Sequence, residues 1–150
     1  MSDRNEIQHF YTLQFHGACS GNPGPAGAGA VLFDEQGSLL YQFRQGLGYA
    51  TNNVAEYHAL IFGMQQALMK ECKNLTVRGD SQLVIKQFQG LSRIDNPYLR
   101  SLCDEALELS NNFRLFRITY ISRVHNTLAD AQANLAINLQ EGQVEEDRLY

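Results

Sequence analysis

The sequence has no apolar run long enough to span a membrane, no excess of basic residues, and only three cysteines. A membrane span needs roughly 20 consecutive apolar residues, so no membrane partner is expected. The opening stretch, Met1 to Phe10, is polar and acidic, unlike the apolar core of a secretory signal. Cys19, Cys72 and Cys103 are odd in number and show no C-x-x-C or Cys…His spacing. That excludes a disulfide framework and a structural zinc site, and points to reduced thiols in an intracellular protein. Each cysteine is read as a small apolar filler. No repeat and no internal linker occur. The glycine-rich stretch from Gly21 to Gly29 lacks a Gly-Lys-Ser/Thr ending, which excludes a P-loop.

The net charge of −4 argues against a strongly basic nucleic-acid stripe, but it is unevenly placed. Between residues 10 and 138 acids and bases balance; the surplus acids sit at the ends, at Asp3, Glu6, Glu141, Glu145, Glu146 and Asp147. If a metal neutralised a few central carboxylates, the body of the chain would be net positive and compatible with a phosphate backbone.

What is present is enough for one domain with a real core: 150 residues, 44% hydrophobic and 19% charged. We expect an extension over 1–10, a domain over 11–139, and an acidic, unpatterned, frayed tail over 140–150. Tyr11–His16 alternates, with Tyr11, Leu13 and Phe15 on one face and Thr12, Gln14 and His16 on the polar one. Gly21-Asn-Pro-Gly-Pro25 is a turn. Gly27–Phe33 and Leu39–Leu47 read as the next two strands, joined by the Asp34–Gly37 hairpin turn. Asn53 to Cys72 is helical, with Tyr57, Leu60, Ile61, Met64 and Leu68 as its apolar stripe. A strand over Leu75–Arg78 and a short helix over Ser81–Gln89 follow. Pro97 opens a helix with Leu99, Leu102, Ala106 and Leu109 on one side. Phe116–Ser122 is a strand, and Asn126–Leu139 a last helix with Leu128, Ala131, Leu135 and Leu139 as its expected buried stripe. The order β-β-β-α-β-α-α-β-α predicts an α/β fold: a mixed five-stranded sheet with helices on both faces, its crossovers right-handed.

Four separated polar positions stand out: His16, Glu56, Asp80 and Asp130. Each acid has an ordinary reading. Glu56 is three residues after Asn53, the spacing of a capping box. Asp80 lies between a strand and a helix, where an N-cap belongs. Asp130 suits the positive end of the last helix dipole. Yet strand ends and helix starts converge in an open α/β sheet. Carboxylates gathered there repel unless one takes a proton or a divalent cation binds. Pattern alone leaves both readings standing.

The contexts of these residues resemble the type 1 ribonuclease H family over residues 11–139. The matching segments are Phe15-His-Gly-Ala-Cys-Ser-Gly-Asn-Pro-Gly24, Thr51-Asn-Asn-Val-Ala-Glu56, Gly79-Asp-Ser-Gln82 and Asn126-Thr-Leu-Ala-Asp130. The chain is similar to the plant and archaeal-type branch, without the basic protrusion of some bacterial members. The resemblance implies a ribonuclease H-like fold, an RNA–DNA hybrid as partner, and metal-assisted hydrolysis of the RNA strand that leaves 5′-phosphate and 3′-hydroxyl ends. It implies Glu56, Asp80 and Asp130 as metal ligands for Mg2+, with His16 at the fourth catalytic corner. It also implies that Gly17, Cys19, Asn22, Asn52, Asn53, Ser81 and Gln82 touch the hybrid. Such groups read 2′-hydroxyls and minor-groove edges. A monomer is expected.

His16 departs from the family pattern, which has a metal-bridging aspartate there. An imidazole offers one neutral lone pair, bridges no second ion and adds no negative charge. Nitrogen suits Mn2+, zinc or iron better than Mg2+. The expectation is therefore an attenuated or manganese-preferring nuclease. The alternatives are a catalytically inactive module that binds hybrid or RNA, and a protein-interaction domain keeping the fold alone. His125, five residues before Asp130, does not match the spacing of the mobile loop histidine that some members use. His58 is expected at the surface, turned away from Glu56.

Overall fold

Alternating apolar positions build a hairpin unit first. β1 (Tyr11–Cys19), β2 (Gly24–Phe33) and β3 (Leu39–Ala50) pair antiparallel in chain order. The computed structural model describes residues 9–150, so most of the expected extension over 1–10 lies outside the described residues. After the hairpins come α1 (Asn52–Met69), β4 (Asn74–Gly79), α2 (Gln82–Phe88), α3 (Pro97–Ser110) and β5 (Leu115–Tyr120). A 3-10 turn at Arg123–His125 leads into α4 (Thr127–Ala136), and β6 (Val144–Arg148) ends the fold. β4 runs parallel to β1, and β5 parallel to β4. The sheet order is β5-β4-β1-β2-β3-β6. Among the described residues no helix is long and apolar enough to cross a membrane.

The sheet has six strands rather than five, because the C-terminal segment is not frayed. Glu145, Glu146 and Asp147 pair with Arg44, Phe43 and Gln42 on the outer edge of β3. The Arg44 guanidinium lies 2.9 Å from Glu145 and 2.8 Å from Asp147, and Lys70 Nζ is 2.8 Å from Glu146. The Tyr41 and Tyr150 hydroxyls share a 2.8 Å hydrogen bond. What reads as a solvated acidic run is a strand whose basic partners lie far upstream.

The two sheet faces are covered differently. Leu13 and Phe15 point at α1, whose Tyr57, Leu60, Ile61 and Met64 are buried as the stripe requires. Burial of each such side chain contributes roughly 1.5–3 kcal/mol. α3 packs against α1 with Leu102 and Ala106 buried. On the other face α4 packs over β1, β2 and β3. Here the expected stripe is wrong. Leu128 is 39% and Leu135 56% exposed, while Ala129, Gln132, Ala133 and Ala136 are buried. The sheet beneath explains it. A Cβ on Gly29 would lie 2.3 Å from the Ala133 nitrogen and 2.4 Å from the Ala129 oxygen. The helix rests on a bare backbone at a separation that excludes leucine and admits alanine.

Candidate metal centre and nucleic-acid cleft

Glu56 and Asp80 escape their helix-terminus roles because other residues take them, while Asp130 stays in the first turn of α4. Thr51 caps α1, its hydroxyl accepting from the Val54 N–H at 3.3 Å. Glu56 therefore lies beyond the capping-box position and reaches across to β1, where Oε1 accepts the Gly17 N–H at 2.6 Å. Ser81 caps α2 through its own hydroxyl, accepting the Val84 N–H. Asp80, one residue earlier, is free to turn inward. Asn126 precedes α4 without a side-chain cap bond; its Nδ2 instead donates to the Phe15 carbonyl at 2.9 Å and to Asp80 Oδ2 at 3.1 Å. Gly17 allows this convergence, since a Cβ there would meet the Ala55 backbone at 2.3 Å.

His16 stands at the centre. It is 4% exposed, because α4 covers the side of β1 that the alternation marks as polar. Nδ1 lies 3.2 Å from Asp80 Oδ1 and 3.7 Å from Glu56 Oε1, and Nε2 lies 3.1 Å from Asp130 Oδ1. Nδ1 shares a hydrogen bond with Asp80, while Asp130 faces Nε2 as a charge partner; an imidazolium, a donor at both nitrogens, suits both neighbours. Burial alone would lower the His16 pKa. The Asp80 hydrogen bond and the charges of Glu56, Asp80 and Asp130 outweigh it and raise the value. Burial pushes Glu56 up to about 7, against the opposing pull of His16 and the Gly17 amide. Burial would also raise Asp80, but hydrogen bonds from His16 and Asn126 hold it below the ordinary range.

One ligand atom each from His16, Glu56 and Asp80 lies within 4.8 Å of the others. That donor set, one imidazole nitrogen with two carboxylates, could hold a divalent cation. Asp130, 35% exposed at its side chain, lies on the far side of the imidazole and pairs with Arg123 at 3.8 Å.

These groups line a cleft of about 450 Å³ together with Gly17, Ala18, Cys19, Asn52, Asn53, Ser81, Arg123 and Asn134. Two expected contact residues are off its wall. Asn22 works one step back, its Oδ1 accepting the Asn52 N–H at 3.0 Å and tying the β1–β2 turn to α1. Gln82 lines a separate groove with Lys86 and Tyr120. Cys19 is half-buried at the cleft, its thiol 3.3 Å from the Ala50 carbonyl, while Cys72 and Cys103 are buried and free. His58 is half-buried rather than at the open surface, and its Nε2 is 3.3 Å from the Tyr98 hydroxyl. His125 is exposed and off the cleft wall. Sequence reasoning missed the roles of Arg123 and Asn126. Their shared stretch, Arg123 to Asn126 at the approach to the last helix, was the available signal.

A mixed sheet with an acidic cleft where β1, β4, α1 and α4 converge defines a ribonuclease H-like protein. The chain belongs to the reverse transcriptase-like family, whose model matches residues 14–136. It is similar to the ribonuclease HI of Halobacterium salinarum, 41% identical over 136 residues, which is 91% of this chain and 67% of that protein. The crystal structure of the halophilic archaeon's RNase H1 superposes with a TM-score of 0.84 at 40% identity, covering 86% of this chain and 98% of that one. The N-terminal RNase H domain of Rv2228c from Mycobacterium tuberculosis gives a TM-score of 0.81 at 37% identity, covering 86% and 99%. In sequence this chain spans only 35% of that bifunctional protein's length, at 38% identity over 84% of its own residues. LC11-RNase H1, isolated from compost and solved in complex with an RNA/DNA hybrid, gives 0.80 at 32% identity, covering 85% and 96%.

Proposed function

We propose that this chain is an RNA–DNA hybrid ribonuclease of type 1 architecture, attenuated in magnesium and favouring manganese because His16 stands where the family has an aspartate. One observation carries the reading. Asp80, Glu56 and Asp130 all converge on His16 within 3.1 to 3.7 Å, so the acidic centre is assembled and only one corner differs in chemistry.

The hybrid-bound state of LC11-RNase H1 supports the same class of partner here. The cleft presents what such a partner needs. Asn52 and Asn53 offer polar contacts for 2′-hydroxyls, and Arg123 offers a guanidinium to a phosphate. Glu56 is held by the Gly17 N–H, and Asp80 by Asn126. A divalent ion, when bound, supplies charge neutralisation and activation of water. His16 must give up the proton on Nδ1 to join its ligand set.

A second reading is a hybrid-binding module without turnover. The observation favouring it is that both His16 nitrogens already face carboxylates, so an imidazolium takes the cation's place. The experiment compares cleavage of a labelled hybrid by the natural chain and by His16→Asp, in magnesium and in manganese. Slow cleavage, faster in manganese, with a gain of about 10²-fold in magnesium for the variant, is the expected result. Tight hybrid binding with no turnover in either metal, and rescue by His16→Asp, establishes the second reading instead. No hybrid affinity at any salt concentration overturns both.

A further inference from the structure

We infer that the face of β4 and β5 left without a covering helix among the described residues carries the single strand that continues out of a hybrid bound in the cleft. This rests on the hybrid-binding reading above. α4 packs over β1, β2 and β3, and on that side Arg78, Arg117 and Thr119 are left exposed. The register sets them in rows: Gln14 opposite Arg78 and Arg78 opposite Thr119, then Thr12 opposite Thr76 and Thr76 opposite Arg117. Strand alternation places Gln14 on the same face as His16. At a rise of about 3.3 Å per residue the rows lie about 7 and about 13 Å below the level of His16. The basic side chains therefore step away from the cleft in line with it, and Arg123 stands at the cleft wall above them.

Both strand arginines are available. Among the described residues neither Arg78 nor Arg117 meets a carboxylate; the one contact shown is that of Arg117, whose guanidinium lies 3.9 Å from the centre of the Phe10 ring. That cation–π contact orients the group while leaving its edge donors open. Guanidinium groups pair with phosphate through two parallel hydrogen bonds. The chain is net −4, so a positive strip continuous with the cleft is a local arrangement rather than a property of the whole surface. β5 is the sheet edge. The exposed strip is therefore two strands wide, the breadth of one nucleic-acid backbone rather than of a duplex.

The test measures binding of a blunt hybrid, of the same hybrid with a single-stranded overhang at either end, and of the free single strand. The natural chain is compared with Arg78→Gln/Arg117→Gln and with Arg78→Lys/Arg117→Lys. An overhang should raise affinity for the natural chain and for the lysine variant. The glutamine variant should bind blunt hybrid as before and forfeit the overhang gain. Its salt slope should be shallower by about 1.4, or about 0.7 for each phosphate left without a basic partner. No gain from either overhang, or a gain that survives the glutamine variant, overturns the inference. Self-association of the natural chain that dissolves in the glutamine variant assigns the face to a second copy and also overturns it. Failure to bind blunt hybrid counts against the functional reading instead. The free-strand arm then decides the face, since affinity indifferent to the glutamine variant overturns the inference by itself.

Discussion

Asn126 donates through Nδ2 to Asp80 Oδ2 at 3.1 Å. The bond joins the start of α4 to the end of β4, and the same amide nitrogen holds the Phe15 carbonyl of β1. Three elements of the cleft thus meet on one buried amide.

Replacing Asn126 by Ala removes both bonds, one of them to a buried carbonyl. The expected cost is about 1–3 kcal/mol in urea unfolding. Hybrid affinity at saturating metal should fall as well, because Asp80 loses its orientation. Unchanged stability would mean that the Phe15 carbonyl finds another donor.

Gly29→Ala tests the close seat of α4. The added methyl would sit 2.3 Å from the Ala133 nitrogen, with rigid helix backbone on the other side. We expect destabilisation of about 1–3 kcal/mol, or a fall in melting temperature of about 2–4 °C per kcal/mol. The helix should also move outward and carry Asp130 away from His16, which would show as changed imidazole chemical shifts.

The metal-free protein should lose stability as pH rises. Glu56 titrates near 7 in the folded chain because it is buried, whereas an unfolded glutamate titrates near ~4.3. Between those values the folded state binds more protons, so stability falls with rising pH. His16 acts in the same direction: burial would lower its pKa, but the Asp80 hydrogen bond and three carboxylates raise it. Its contribution is complete below ~6.5 and lost as pH rises through the folded value. Asp80 works oppositely at the acid end, since burial is outweighed by hydrogen bonds from His16 and Asn126 that lower its pKa. Its contribution is present above ~3.9 and lost as pH falls through its folded value. Urea midpoints in chelator should therefore decline from about pH 5 to about pH 7, and manganese should remove the decline. A flat profile in chelator would contradict this.

Arg44→Gln should release β6. Arg44 binds Glu145 and Asp147 on β6 and donates to Gln132 of α4 at 2.9 Å. The pairs are partly exposed, so the loss is set by the hydrogen bonds and comes to about 1–2 kcal/mol. Freeing the outer edge of β3 should also raise aggregation on heating. Protection of the β3 amides against hydrogen exchange reads the effect directly, and unaltered protection would show that β6 holds without Arg44.

The strands, the first three helices and the contexts of the acids were legible because they are local. Tyr57, Leu60 and Ile61 announce a helix stripe, and Leu13 and Phe15 a strand, through spacing alone. The last helix was misread for the opposite reason. Leu128 and Leu135 look like a core stripe until the glycines of β2 are known to lie under Ala129 and Ala133. The acidic tail was misread likewise, since nothing near Glu145 or Asp147 in the chain signals Arg44. Gln82 shared a motif with Asp80 and Ser81, yet the first turn of α2 carries it off the cleft wall.

By itself the sequence determined the order of elements, the family to which they belong, and the presence of a histidine among three acids. Those are properties of neighbours in the chain, carried by period, turn chemistry and motif. Only the tertiary structure decided that His16 is buried with both nitrogens against carboxylates, and that Thr51 and Ser81 take the capping roles which Glu56 and Asp80 could have filled. It also decided that the tail is a strand. These outcomes depend on how closely α1 and α4 approach the sheet, and that distance is set by glycine backbones on strands far from either helix in the chain.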